Sequence, residues 1–419
     1  MFYKNARIFT PDFRFRTGAF EVRDGLFGEV LPENVPADAV DLNGATVIPG
    51  LIDVHSHGNS GADFSDGDYE GLKRMAAFYA KCGVTSFAPA SMTLPYDVLE
   101  KAFATAKQLH AEAPEGLSRL MGIQMEGPYF SYKKRGAQNP DYLKDPDFEG
   151  FKKLYEGCGG LVRIVDVAPE LPGAAEFVAK AKELCTVSIA HTDSDYDHAR
   201  AAIDAGVTHL THLYNAMPPI HHRNPGVIPA AVETPGVQAE IICDGYHVHP
   251  ASVRLAFTMF RDRMVLISDS GRCAGEPEGT QVPVGWQGRM ARGRRGQAGR
   301  RHHRLLCYQP VDLPAKRPKV ERPRGRGHPR GDLQPRQGHR RGGQGRHHRD
   351  RQAGGLRCHQ RGLHPEAGVH QRKGNLILCA HFWKAPPFRG AFPVLSENLR
   401  FLCIIVTSET RRFTAGSLG

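Results

Sequence analysis

The chain has 419 residues, enough for one large domain with a small one beside it, and a formal net charge of +11. The charge is split: residues 1–280 carry 26 Lys and Arg against 37 Asp and Glu, whereas residues 281–373 carry 24 against 5. The composition therefore excludes a basic nucleic-acid-binding body in the first 280 residues. It offers no apolar run near the roughly 18–20 residues of a membrane span, and its nine cysteines lack the paired spacing of a disulfide framework.

From the start, FYKNARIF, AFEVRDGLFGEV and AVDLNGATVIP read as short strands punctuated by Gly, Pro and Asp, a small β domain over residues 1–48. No apolar core of a signal peptide precedes them, and with the cysteine pattern this places the protein in the cytoplasm. From residue 49 the grammar changes to alternating β and α units. Strand-like runs occur at LIDVHSH, TSFAPAS, RLMGIQMEG, VRIVDVAPE, TVSIAH, THLTH, QAEIICDG and RMVLISDS. Helical patterns such as YEGLKRMAAFYAKCG, YDVLEKAFATAKQLHAEA, AAEFVAKAKELC, YDHARAAIDAG and ASVRLAFTMFRD lie between most of them. Eight strands with intervening helices predict a (β/α)8 barrel over residues 49–280. A doubly wound open sheet would carry a GxGxxG turn after its first strand, and none is present.

Six residues stand at predicted strand ends in barrel order. His55 and His57 end the first strand, and their spacing of two puts both imidazoles on one face. Glu126 ends the third, His191 the fifth, His212 the sixth and Asp269 the eighth. A lone strand-end histidine is more often a hydrogen-bonded structural residue. Six such residues at the end where barrel active sites are built point to a metal-dependent hydrolase. Mixed imidazole and carboxylate donors suit Zn²⁺ or Fe²⁺ rather than Ca²⁺ or Mg²⁺, with one or two ions per subunit. The metal would polarise an amide carbonyl and acidify a water, whose proton Asp269 is placed to carry.

PGLIDVHSHG, MEGPYF, THLYNAMPP, CDGYHVHP and LISDS, in this order, resemble the N-acetylglucosamine-6-phosphate deacetylase family of the amidohydrolase superfamily. The resemblance covers residues 1–280. It implies hydrolysis of the acetamide of a small amino-sugar phosphate by a homodimer of barrel-plus-β-domain subunits, without a membrane or specific nucleic-acid partner. It makes Glu126, His191 and His212 the principal metal ligands, with His55 and His57 supplying a second site. Asp269 becomes the catalytic acid/base, and His247 orients the substrate and polarises its carbonyl. Asn215, Ala216 and Arg223 would bind the sugar phosphate, for which the planar guanidinium fork is apt. Gln138 stands where some relatives use a substrate-contacting histidine. Lys133, Lys134 and Arg135 read as a solvated basic loop.

Past residue 280 the periodicity stops. QGRMARGRRGQAGRRHHR and RPRGRGHPRGDLQPRQGHRRGGQGRHHRDR have no apolar face to bury, so residues 281–419 are expected to be disordered and the barrel to lack its last helix. The genetic code supplies a reason. GQAGRRHHRLLCYQP, from Gly296 to Pro310, has a compatible codon choice that reads GKLADGTIACSATN one base later. Codons for Glu321–Arg340, moved in the same direction, can read NAPVEEAIRAATCNPAKVI, a helix-like segment resembling the family's eighth helix. Gly342–Arg351 can read AGKGATIVT, and His364–Lys373 can end in KQVFING. One direction of shift and family order across four segments predict a change of reading frame near codon 280. Three rivals remain: an amidohydrolase acting on a cyclic amide or amine, an inactive frameshifted product, and a nonspecific nucleic-acid binder using the basic tail, which has only Trp286 and Tyr308 as aromatics in residues 281–373.

Overall fold

The computed structural model describes residues 1–31 and 35–277, together with five short strand segments, Gln281–Val284, Arg289–Arg292, Arg295–Gln297, Arg304–Leu306 and Leu402–Ile405. The remainder of the predicted 281–419 unit lies outside the described residues. Where the sequence predicts no regular element, these five segments are paired strands. Leu402–Ile405 runs antiparallel to Thr46–Pro49 in the small β domain.

That domain begins with Phe2–Thr10 paired antiparallel to Arg14–Arg23, which pairs in turn with Leu26–Leu31. The run AFEVRDGLFGEV is thus two strands, turned at Asp24 and Gly25, both with positive φ. Ala6, Ile8, Phe20 and Val47 form its core, and Phe20 stacks on Tyr3 and Phe27.

The barrel follows in the predicted order. Its strands are Leu51–Ser56, Val84–Pro89, Ile123–Met125, Val162–Val167, Thr186–Ile189, His209–Leu210, Gln238–Ile242 and Met264–Ile267. The third to eighth run parallel as one curled sheet; the first and second pair parallel, and an Ala90–Gln124 bridge joins the two sets. The predicted run RLMGIQMEG is interrupted, since Arg119–Leu120 pairs with the second strand while Ile123–Met125 pairs with the fourth. Among the described residues seven helices connect the eight strands. Two of these, Phe148–Gly157 and Val227–Val232, were not among the helical patterns read from the sequence. The first is capped by Asp147, and it buries Phe151 and Leu154. The second is six residues long and contains Pro229, so it carries little periodic signal.

Apolar residues on the helices and outer strand faces make one continuous core, including Leu72, Phe103, Phe151, Phe177 and Ile241. The interior is unusually polar: Asp53, His55, Gln124, Asp166, Ser188, His209, Thr211 and Glu240 are all buried. Strands eight and one meet at their carboxyl ends, where Asp269 N–H donates to His55 O (3.0 Å) and His57 N–H to Ser270 O (2.8 Å). Lower on that seam Ile52 is 52% exposed. Cys158, Cys185 and Cys243 are free thiols, whereas Cys273 is disulfide-bonded. Such a pairing depends on tertiary proximity and is not given by spacing.

Candidate metal centre and active site

The structure brings His55, His57, Glu126, His191, His212 and Asp269 to one point above the strand ends. Glu126 is the hub. Its Oε1 lies 3.1 Å from His191 Nε2 and 3.2 Å from His212 Nε2, and its Oε2 lies 3.1 Å from His57 Nε2. His55 Nε2 is 3.8 Å from Glu126 Oε1. Two buried triads therefore share one carboxylate, His55–His57–Glu126 and Glu126–His191–His212. Asp269 Oδ1 faces the first triad, 3.7 Å from His55 Nε2 and 3.5 Å from His57 Nε2.

The backbone at these strand ends is strained. His191, His212 and Asp269 have φ of 43°, 31° and 47°, the left-handed region that non-glycine residues seldom adopt. The kink turns each side chain from the strand line toward the barrel axis. Neighbours fix the rings. His57 Nδ1 meets Ala90 O at 3.1 Å, His191 Nδ1 meets Lys134 O at 2.8 Å, and His55 Nδ1 meets Glu240 Oε2 at 2.9 Å. With the proton on Nδ1, each Nε2 keeps its lone pair for the centre. Gly136 lets the Lys134 loop approach: its φ is +58°, and a Cβ there would stand 3.2 Å from His191 Cε1.

This donor set fits a divalent cation. His55 Nε2 is buried without a hydrogen-bond partner, and the Nε2 atoms of His191 and His212 face each other at 3.2 Å. A cation among them satisfies the first and relieves the second. Charge is balanced meanwhile by protons. Burial alone would lower the His55 and His57 imidazoles, yet both rise, His55 through Glu240 and His57 through Glu126, the latter to about 9. Burial would raise the Glu126 carboxyl, but the His57 charge and hydrogen bonds from His191 and His212 hold it well below the usual carboxylate range.

Beside the centre lies a cavity of about 290 Å³ lined by Lys134, Gln138, Asn215, Ala216, His247 and Asp269, among others. Gln138 points inward: its amide donates to Glu126 Oε2 (2.7 Å), and its carbonyl accepts from Thr93 N–H. In this structure it therefore orients the hub carboxylate. Asn215 donates to His212 O in the tight turn after the sixth strand, and Ala216 O accepts from Thr192 N–H. His247 is oriented by Asp244, whose Oδ2 lies 3.1 Å from its Nδ1 and whose Oδ1 accepts its backbone N–H. Arg223 is exposed and lies outside the cavity lining. Lys133 and Lys134 stand along it; Lys133 is solvated, as read from sequence, with its side chain 77% exposed, whereas Lys134 is half-buried. Lys133 pairs with Asp193 at 2.5 Å, and Lys134 reaches Met217 O at 3.4 Å.

Sequence reasoning missed Glu240, Asp244 and the carbonyls of Ala90 and Lys134. The glutamate had a signal: a charge within the otherwise apolar run AEII must be paired if that strand is buried. The carbonyls had none, since every residue carries one.

The Amidohydrolase family model matches residues 46–276. N-acetylglucosamine-6-phosphate deacetylase of Bacillus subtilis (strain 168) is 36% identical over 305 residues, covering 70% of this chain and 75% of that protein. N-acetylgalactosamine-6-phosphate deacetylase of Escherichia coli O157:H7 is 30% identical, covering 68% and 75%. A mutant of the Mycobacterium smegmatis N-acetyl-D-glucosamine-6-phosphate deacetylase, solved with N-acetyl-D-glucosamine-6-phosphate, superposes with a TM-score of 0.69 at 31% identity. That match covers 75% of this chain and 82% of the other.

Proposed function

Because this chain belongs to the amidohydrolase family, we propose that it hydrolyses the acetamide of N-acetylglucosamine 6-phosphate to glucosamine 6-phosphate and acetate. The observation that carries this reading is the convergence of His55, His57, Glu126, His191 and His212, side chains able to hold a metal ion, with Asp269 beside a cavity of about 290 Å³. Glu126, His191 and His212 would hold one divalent ion, and His55 and His57 with Glu126 a second. Zn²⁺ and Fe²⁺ are the ions this donor set favours. A bound ion would polarise the amide carbonyl and lower the pKa of the attacking water.

Asp269 would take a proton from the attacking water and deliver it to the departing nitrogen, so that amide and water give amine and acetic acid, which ionise to ammonium and acetate. Asp244 holds the His247 Nδ1 proton, so the ring presents its other edge to the cavity, where it can engage the carbonyl oxygen. Asn215 and Ala216, which line the cavity together with Lys134, would bind the sugar phosphate. Arg223 would contribute on closure of its loop or from the partner of a homodimer. We place the enzyme in the cytoplasm, a reading supported by the free thiols of Cys158, Cys185 and Cys243; cell fractionation tests it. Among the described residues no helix is long and apolar enough to cross a membrane.

The test is acetate release from N-acetylglucosamine 6-phosphate, with the galactosamine epimer and a cyclic amide in parallel. Turnover of the cyclic amide alone would overturn the proposal. We also infer that the coding frame changes near codon 280. Supporting this are the abrupt charge change there, the family match over 46–276, and the four shifted segments in family order. As a frameshifted product the chain would have a barrel without its last helix and little activity. DNA sequencing across codon 280 decides it, and restoring the frame should raise both soluble yield and turnover.

A further inference from the structure

Glu240, on the seventh barrel strand, is fully buried, and its Oε2 makes two contacts. It lies 2.9 Å from His55 Nδ1 and accepts the backbone N–H of His212 at 3.2 Å. One oxygen thus touches a histidine from each triad. The His212 contact meets a residue whose φ of 31° turns its N–H inward. The other oxygen, Oε1, has no hydrogen-bond partner, and its nearest imidazole, that of His209, stands 3.9 Å away. An ionised carboxylate in a barrel interior is costly, and an apolar side chain of similar volume usually packs at lower cost. Ile242, two residues along on the same face of the strand, is apolar and buried. Packing therefore does not account for Glu240.

His57 and His191 direct Nδ1 at neutral peptide carbonyls, whereas His55 directs it at a charged carboxylate. A carboxylate behind a ligating imidazole holds the proton on the far nitrogen, fixes the ring plane and raises the basicity of the ligating nitrogen. We propose that Glu240 is the positioning residue that fixes the His55 ring for the ion of the His55–His57–Glu126 half. This rests on the metal-hydrolase reading above. Glu240 touches no substrate and acts through His55.

The experiment strips the purified full chain with chelator, titrates it with Zn²⁺, and measures bound metal and affinity alongside circular dichroism. The unaltered chain should bind two ions. E240Q should bind the first with unchanged affinity and the second about 10- to 100-fold more weakly, because an amide can present its NH₂ to Nδ1 and shift the ring proton to Nε2. E240D keeps the charge and should recover part of the loss. Should E240Q fail to fold, selective weakening of the second ion in E240D carries the same prediction. Two ions bound by E240Q at full affinity overturn the proposal. So do equal losses at both sites, which mark a general scaffold role, and a single ion in the unaltered chain. An unaltered chain that is folded by circular dichroism yet binds no metal instead overturns the hydrolase reading itself.

Discussion

Replacing Glu126 with Gln keeps the shape of the hub and removes its charge. The carboxylate is buried and lies 3.1–3.2 Å from His57, His191 and His212. A unit charge pair at that distance is worth about 5 kcal/mol at an effective dielectric near 20. The remaining amide dipole and local relaxation should halve this, leaving about 2–3 kcal/mol, on the order of 30- to 150-fold in affinity for each ion. Both ions suffer, because both triads use this one residue. Metal titration followed by emission spectrometry reads the loss, and acetate release should fall with it. His57→Ala is the control, since it should weaken only the second ion. If Glu126→Gln retained two ions at unchanged affinity, the shared-carboxylate reading of the site would be wrong.

In the frame-restored enzyme Asp269→Asn should leave metal content intact and lower kcat by about 10²- to 10⁴-fold, the usual worth of a positioned proton carrier; loss of metal in parallel would make it a ligand instead. Metal affinity should depend on pH with a definite sign. In the metal-free protein the His57 imidazole is raised from 6.5 to about 9 by Glu126 despite burial, so its proton stabilises that form fully below about 6.5 and ceases to do so above about 9. An incoming ion must displace this proton, so affinity for the His57 site should climb about tenfold per pH unit up to about 9 and then level. A flat profile from pH 6.5 to 9 would remove His57 from the ligand set. Arg223→Ala should raise KM for the phosphorylated sugar by about 10-fold or more with kcat largely kept, as expected for a charge-assisted phosphate contact. An unchanged KM would shift that role to Lys134, which already lines the cavity.

Much of the architecture could be read directly because the barrel repeats one rule eight times. Each apolar strand run is followed by a turn, and most are followed by an amphipathic helix, as in Tyr69–Lys81 and Tyr96–Glu112. The ligands are legible for the same reason: a His, Glu or Asp at the end of five of the eight runs marks the face where strands deliver side chains. Val227–Val232 was not legible, being short and proline-containing, and the Asp24–Gly25 turn was overlooked within a longer apolar run.

The residues of the first 280 positions determined the chemical inventory: which strands end in His or Glu, where the acid/base carboxylate stands, and where the apolar periodicity stops. Proximity was decided only by the tertiary structure. Glu240 and His55 are 185 positions apart, yet lie 2.9 Å from each other. Gln138 came to serve Glu126, and peptide carbonyls came to orient His57 and His191, because barrel curvature and strained strand ends fix distances that no local pattern encodes.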